Sequence, residues 1–99
     1  MAKELHLYDV IRRPVITEKA TMLADDQNVY TFEVDLRATK PMIKDAVEAI
    51  FDVEVLKVRT AIMPAKMGTR LRRRYIRRRA WKKAYVTVAP GQDIDMFGV

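Results

Sequence analysis

The sequence contains no cysteine, no serine and a single histidine. Without cysteine the chain can form neither a disulfide nor a thiolate metal site. One imidazole, that of His6, cannot build a histidine metal site, and a catalytic triad would need a serine or cysteine nucleophile. A hydroxyl nucleophile would have to come from threonine or tyrosine, with no paired base in the pattern. We therefore expect neither an enzyme nor a bound metal or other cofactor.

The sequence also lacks long hydrophobic runs. No apolar stretch approaches the roughly 20 residues that a helix needs to cross a bilayer. The first residues, Met1 to His6, lack the apolar core of a secretory signal. A chain of 99 residues suits one small domain. We therefore expect residues 1–99 to form a single cytoplasmic domain without membrane insertion.

Acidic residues are missing between Val55 and Gln92, a segment with twelve Lys or Arg residues. The remainder holds seven basic and thirteen acidic residues, so a segment of net charge +12 is attached to a remainder of net charge −6. Such a dense block of cations repels itself unless an anion neutralises it, and the planar guanidinium fits phosphate oxygens well. Ordinary charged surfaces mix both signs, and this segment does not. The pattern therefore favours polyanion binding over a solvated face or a targeting signal.

Two helices are predicted from cap residues and apolar periodicity. Thr17 is suited to cap a first helix, which has Glu18 in its first turn and ends by residues 25–28. Thr39 is suited to cap a second helix, because the apolar residues that follow it recur at helical spacing. Those residues are Ile43, Ala46, Val47 and Ile50.

Extended segments are predicted on both sides of these helices. Pro14 interrupts the chain, and a short extended stretch at residues 15–16 follows it. Residues 29–35 alternate in the manner of a half-buried strand. Residues 54–63 and 83–89 are rich in β-branched side chains and predict two further strands. Beyond them, the apolar residues Ile94, Met96 and Phe97 are expected to dock on the core.

The segment at about 64–82 connects the last two predicted strands, which we expect to be antiparallel neighbours. In the first of these strands, strict alternation puts Leu56 and Val58 on one face. The connection is far longer than a hairpin needs, and long loops in compact domains are usually functional or disordered. We therefore expect an extended basic loop that becomes ordered on its partner.

Aromatic residues are interleaved with the basic ones. Tyr75 and Trp81 could stack on unpaired bases, as is common in RNA recognition, or could pack at the base of the loop, and the sequence leaves both open. Basic residues outside the loop could add a second contact surface on the folded part. The candidate RNA-contacting residues are Lys40, Lys44, Arg59, Lys66, Arg70, Arg72, Arg73, Arg74, Tyr75, Arg77, Arg78, Arg79, Trp81, Lys82 and Lys83.

Four short motifs are weak one by one and specific when taken in register. They are Pro-Val-Ile-Thr-Glu-Lys-Ala at 14–20, Ala-Thr-Lys at 38–40 with Ile-Lys-Asp-Ala-Val-Glu at 43–48, Phe-Asp-Val-Glu-Val-Leu-Lys-Val at 51–58, and Trp-Lys-Lys-Ala-Tyr-Val-Thr-Val-Ala-Pro-Gly at 81–91. Their order and spacing resemble the bacterial type of large-subunit ribosomal protein L23 over roughly residues 8–97.

The resemblance implies an α/β (α+β) domain with a small antiparallel sheet of about four strands, helices packed on it, and a long basic loop between the last two strands. It implies binding to large-subunit (23S-type) ribosomal RNA beside the nascent-peptide exit tunnel, next to neighbouring large-subunit ribosomal proteins. It also implies a docking platform for trigger factor, signal recognition particle and the translocon. From the residues alone, Glu18 is an acid that complements the helix dipole. By resemblance, its Thr-Glu-Lys context matches the chaperone-docking acid of the family.

Two features depart from the family pattern. Residues 58–60 read Val-Arg-Thr where the family often has Val-Asn-Thr, so Arg59 could contact phosphate in place of an amide contact. The loop is also denser in arginine and poorer in glycine than the family pattern.

A DNA-binding architectural protein with a basic β-arm is the alternative function, although such proteins are generally dimers and no long apolar dimer helix is evident. A membrane-surface binder is disfavoured because the basic run has few apolar companions.

Overall fold

The computed structural model describes the backbone of residues 7–70 and 73–94, and the side chains of residues 9–66 and 79–94. Helices and strands alternate as far as residue 63, and three more strands follow. The helices are α1 (Leu7–Val10), α2 (Glu18–Gln27) and α3 (Lys40–Phe51). The strands are β1 (Ile11–Pro14), β2 (Val29–Val34), β3 (Val55–Met63), β4 (Lys66–Arg70), β5 (Arg73–Arg78) and β6 (Trp81–Val88).

A four-stranded antiparallel sheet forms the centre of the fold, in the order β1-β2-β6-β3. The expected α+β class and the pairing of the strands on either side of the basic segment are both confirmed. No helix within the described residues has the length and apolar character that a membrane crossing requires.

The first strand lies at Ile11–Pro14, earlier than the extended stretch predicted at residues 15–16. The sequence predicts an interruption at Pro14, yet this residue lies in the strand opposite Phe32. A proline is tolerated there because β1 is an edge strand, where an amide N–H is not needed for a further partner. The pairing continues past it, since the Val15 N–H donates to the Thr31 carbonyl at 2.9 Å.

Both predicted helix caps are confirmed. The Thr17 hydroxyl accepts a hydrogen bond from the Ala20 N–H at 3.1 Å, and the Thr39 hydroxyl accepts one from the Met42 N–H at 3.4 Å. Side-chain acceptors of this kind satisfy amides that the first turn leaves without partners. The apolar face of α3 is buried as expected, at Ile43, Ala46 and Val47.

Strand β2 is buried on both faces, where alternation predicted one. Phe32 is fully buried, and Val29 and Thr31 on the opposite face retain only 5% and 2% of their exposure. Helix α2 lies against β2. Packing of this second layer is not encoded in the period of the strand, so the sequence pattern could not reveal it.

Strand β3 contains a bulge that strict alternation could not predict. Val55 pairs with Val88 and Lys57 pairs with Thr87, so Leu56 is the extra residue. The bulge brings Val55 into the buried core and leaves Leu56 57% exposed. The prediction that Leu56 and Val58 share one face was therefore wrong.

The connection between β3 and β6 is a β-hairpin rather than an irregular loop. Lys66 pairs with Arg78 at one end and Arg70 with Arg73 at the other, and the two strands form their own two-stranded sheet. We call residues 64–80 the basic arm. Strand β6 then begins at Trp81, two residues before the predicted start. Backbone pairing needs no particular side chain, which is why a run of arginines can adopt it.

The segment after β6 returns to the core, as predicted for its first apolar residue. Ile94 is 5% exposed within the main hydrophobic cluster, and the Tyr30 hydroxyl donates to the Asp93 carboxylate at 3.3 Å. The other two residues predicted to dock, Met96 and Phe97, lie outside the described residues.

Candidate nucleic-acid interface

The basic arm carries most of the predicted RNA-contacting residues. Its backbone pairing brings Arg70, Arg73, Arg74, Tyr75, Arg77 and Arg78 onto one antiparallel ribbon. Arg72 lies outside the described residues. Lys66 and Arg79, both at the base of the ribbon where it joins the four-stranded sheet, are exposed. The backbone of the paired residues therefore forms one extended two-stranded segment.

A second group of predicted residues meets on the sheet, across β3 and β6. Arg59 is the register partner of Tyr85, and its guanidinium lies 5.6 Å from the centre of the Tyr85 ring. The Lys83 ammonium lies 5.6 Å from the Trp81 ring and 5.7 Å from the Tyr85 ring. These distances are within the range of cation–π attraction. We call Trp81, Lys83, Tyr85 and Arg59 the aromatic–cation row.

Tyr85 was absent from the sequence-based site. Its alternation with Trp81 and Lys83 in β6 was visible as a shared face. The pairing with Arg59 depends on the register of two strands separated by the whole basic arm, and nothing in the sequence states that register. The contact with two cations is what distinguishes Tyr85 from an ordinary strand tyrosine.

The carboxylates near the row are already engaged. Glu33 is the register neighbour of Lys83 on β2, but its carboxylate accepts a hydrogen bond from the Arg13 guanidinium at 2.9 Å. Among the side chains that the structure describes, the ion pairs join Arg12, Arg13 and Arg37 to Asp35 and Glu33. The positive charge of Arg59 and Lys83 is therefore not balanced by a carboxylate within the described fold.

Lys82 differs from its neighbour. It pairs with Val34, on the opposite face of the sheet from Lys83, and its ammonium donates to the Ala38 carbonyl at 2.7 Å. That hydrogen bond ties β6 to the turn before α3. The structure thus separates Lys82 from the aromatic–cation row and gives it a local partner within the protein.

Lys40 and Lys44 lie on a different surface again. Both are exposed on α3 and line a groove of about 430 Å³ between that helix and β3, together with Lys57 and the exposed Leu56. Apart from Lys82, the predicted RNA-contacting residues of the folded part are therefore divided between this groove and the aromatic–cation row.

Asp35 organises a charge cluster that serves the fold. Its carboxylate accepts hydrogen bonds from the Arg37 side chain at 3.0 Å, from the Arg37 N–H at 2.8 Å and from Arg12 at 3.3 Å. These donors, those of Arg37 above all, hold the pKa of the buried carboxyl well below its usual range. The cluster joins β1 to the turn after β2.

Glu18, the predicted chaperone-docking residue, is the first residue of α2 and is exposed. The neighbouring Ile16 and Met22 are 49% and 56% exposed. Met22 lies one helical turn from Glu18, so their side chains project from the same face of the helix. An exposed acid beside exposed apolar side chains could bind a partner that is basic and apolar.

Comparison with known proteins agrees with this architecture. The chain matches the family model described as Ribosomal protein L23 over residues 9–96. It is similar to the large ribosomal subunit protein uL23 of Geobacter sulfurreducens, with 48% identity over 96% of this chain and 100% of that protein. The uL23 proteins of Aeromonas hydrophila and Thermosynechococcus vestitus are 48% and 50% identical, over 99% and 92% of this chain and 97% and 89% of their own lengths. The chain belongs to the ribosomal protein L23 family.

Proposed function

We propose that this protein is a structural constituent of the large ribosomal subunit that binds large-subunit ribosomal RNA beside the nascent-peptide exit tunnel. Its place of action is then the ribosome in the cytoplasm, among neighbouring ribosomal proteins. One observation carries the RNA part of the proposal. Twelve basic residues and no acidic residue lie between Val55 and Gln92, a segment whose described strands form the antiparallel pairs β3–β6 and β4–β5.

The basic arm supplies the electrostatic part of binding. Its arginines bind phosphate oxygens and release the counterions that surround RNA, which gives affinity without base specificity. An RNA backbone can be followed by an extended ribbon, since both present charges at regular intervals. This function needs no catalytic group, in keeping with a family of structural proteins.

The folded part supplies a second contact surface. Arg59 and Lys83 on the sheet, and Lys40 and Lys44 on α3, are fixed by secondary structure and project from surfaces outside the arm. Fixed cations bind an RNA fold of matching shape better than a mobile chain does, because less conformational freedom is lost on binding. This surface is our candidate for the source of specificity.

The exposed surface around Glu18 is our candidate docking platform for trigger factor and signal recognition particle. The acid is the first residue of α2, and the exposed Met22 lies one helical turn further along the helix. This location is separated along the chain from the basic arm.

Fractionation of a lysate tests the proposal. A tagged copy of the protein is expected to sediment with the large subunit in a sucrose gradient, and to leave that fraction after RNase but not after DNase treatment. Sedimentation with nucleoid DNA, lost on DNase treatment, would instead favour the architectural DNA-binding alternative. Recovery at the top of the gradient from untreated lysate would contradict both functions.

A further inference from the structure

The aromatic–cation row has a geometry that suits more than phosphate binding. Two cations, Arg59 and Lys83, lie within 5.7 Å of the centre of one tyrosine ring. Each cation is attracted by the electron-rich face of that ring. The Tyr85 ring therefore holds the two cations in place on the sheet.

A cleft lies beside the row, at the start of β6. It has a volume of about 350 Å³ and is lined by Trp81 and Lys83 on one side and by Arg13, Pro14 and Ile16 on another. Its walls combine an aromatic ring and apolar side chains with cations. The volume is within the range of sites that bind small organic ligands, and the Trp81 ring offers a flat surface.

The positive charges of Arg59 and Lys83 can be neutralised by an anion from outside the protein. Glu33 lines the same cleft but is held by Arg13 at 2.9 Å, which leaves Lys83 facing Trp81 and Tyr85 rather than a carboxylate. The ligand that satisfies both the cleft and the cations carries a flat apolar surface and a negative charge on one flexible backbone. A nucleotide within an unpaired RNA strand has this combination.

We propose that the aromatic–cation row binds an unpaired RNA strand, with one base in the cleft against Trp81 and backbone phosphates at Lys83 and Arg59. Tyr85 is a positioning residue that aligns the two cations. Trp81 and Tyr85 are four residues apart in β6, about 13 Å at the usual rise of a strand, so one short stretch of extended RNA reaches the whole row. The inference rests on the proposed RNA binding and adds the state of the RNA, unpaired, and the role of Tyr85.

A duplex does not fit the same site. Bases in a double helix are stacked on each other, and their faces are closed to protein side chains. The basic arm has no such requirement, because phosphates are accessible in single and double strands alike. The two surfaces therefore differ in the RNA that they accept.

Fluorescence of the intact protein tests the proposal directly, because Trp81 is the only tryptophan in the chain. We expect a short oligoribonucleotide to quench Trp81 emission on binding. The same strand annealed to its complement should bind, as followed by fluorescence anisotropy of a label on the RNA, without comparable quenching. Equal quenching by both forms, or binding of the single strand without quenching, would overturn the proposal.

Substitutions test the role of Tyr85. Tyr85→Leu should weaken binding of the single strand by about 5- to 30-fold, because Arg59 and Lys83 both lose the cation–π attraction that positions them. Tyr85→Phe keeps the ring face and should restore affinity to within about twofold, a rescue that a role of the hydroxyl would not give. Thermal unfolding of both variants checks that the fold is retained. Equal affinity of Tyr85→Leu and the parent would overturn the positioning role.

A charge-matched pair tests the row against general electrostatics. Lys57 lies two residues before Arg59 in β3 and is exposed, but no ring contact engages it among the described side chains. Arg59→Gln should reduce single-strand affinity and Trp81 quenching more than Lys57→Gln does. Equal effects of the two substitutions would contradict the role of the aromatic–cation row and leave general RNA binding intact. If the parent protein itself binds no RNA, the proposed function is contradicted.

Discussion

Arginine has opposite surroundings in the two halves of this molecule. Before Val55, Arg12, Arg13 and Arg37 each bind a carboxylate of the sheet or the following turn. After it, Arg59 lies against a tyrosine ring, in a segment that contains no acidic residue up to Gln92. The same side chain therefore stabilises the fold in one half and remains available to a polyanion in the other.

Whether an arginine stabilises the fold or remains available to a polyanion depends on whether a carboxylate lies beside it. Removing a carboxylate from the first half should reduce stability and leave RNA binding unchanged. Removing arginines from the second half should reduce RNA binding and leave stability unchanged. Each of the following expectations can contradict this division.

Neutralising the arm should have the largest effect. The variant replaces six arginines by Gln: Arg72, Arg73, Arg74, Arg77, Arg78 and Arg79. It should bind ribosomal RNA at least about 100-fold more weakly than the parent. The slope of log affinity against log salt concentration should become shallower by about 4 to 5, since each lost phosphate contact removes roughly 0.7 to 0.9. Its circular dichroism should retain the signal of the four-stranded sheet, because the arm strands pair only with each other. Loss of that signal would mean that the arm is part of the core.

Asp35→Asn should have the next largest effect, on stability alone. The buried carboxylate accepts hydrogen bonds from both Arg37 and Arg12, so losing its charge should reduce the free energy of unfolding by about 2 to 4 kcal/mol. Urea denaturation measures the change. Asp45→Asn, on the exposed surface of α3, is the matched control and should have almost no effect. RNA affinity that fell with Asp35→Asn as far as stability did would contradict the division of roles.

Acid should act through the same carboxylate. Because the pKa of Asp35 in the folded protein lies below its value of 3.8 in a model compound, the group stabilises the fold above that value. The contribution is lost as the pH falls through 3.8 toward the lower folded pKa. The stability difference between the parent and Asp35→Asn should therefore be constant near neutral pH and shrink in acid. A difference that grew in acid would contradict the assignment.

Glu18→Ala should have the smallest effect on the protein itself. An exposed acid in a first helical turn contributes about 0.3 to 1 kcal/mol through the helix dipole, so stability and incorporation into ribosomes should be nearly unchanged. Ribosomes with this variant should bind trigger factor more weakly. The reduction would be about 2 to 5 kcal/mol for a desolvated ion pair, whereas a pair at the rim would mainly change the on-rate and its salt dependence. Glu54→Ala, also exposed, is the control. Unchanged affinity and on-rate would leave the docking role to other residues.

Local signals in the sequence predicted much of the fold. The caps at Thr17 and Thr39, the buried face of α3 and the pairing of the strands around the arm all follow from short-range patterns. The bulge at Leu56 was not predictable, because it depends on the register between β3 and β6. The hairpin in the arm was missed because its cations suggested a solvated loop, although backbone pairing does not depend on charge.

The RNA-binding role of the candidate site stays a prediction, and the sequence located only part of that site. Charge alone located the basic segment, and single residues such as Arg59 and Lys83 could be proposed from type and position. Tyr85 could not, because its partner Arg59 is distant in sequence. Nor could the sequence show that Lys82 binds the Ala38 carbonyl while Lys83 faces the aromatic rings. A sequence pattern shows which residues share one face of a strand. It does not show which residue of the neighbouring strand each of them contacts, because that depends on the register between the strands.

The salt dependence of RNA affinity is the most direct measurement of whether the basic segment acts as a phosphate clamp. Titration of the intact protein with a fragment of large-subunit ribosomal RNA, over a series of monovalent salt concentrations, gives the slope of log affinity against log salt. If five to eight cations contact phosphates, the slope should be about −4 to −7. A slope shallower than about −2 would contradict the clamp, because only one or two phosphates would then be neutralised.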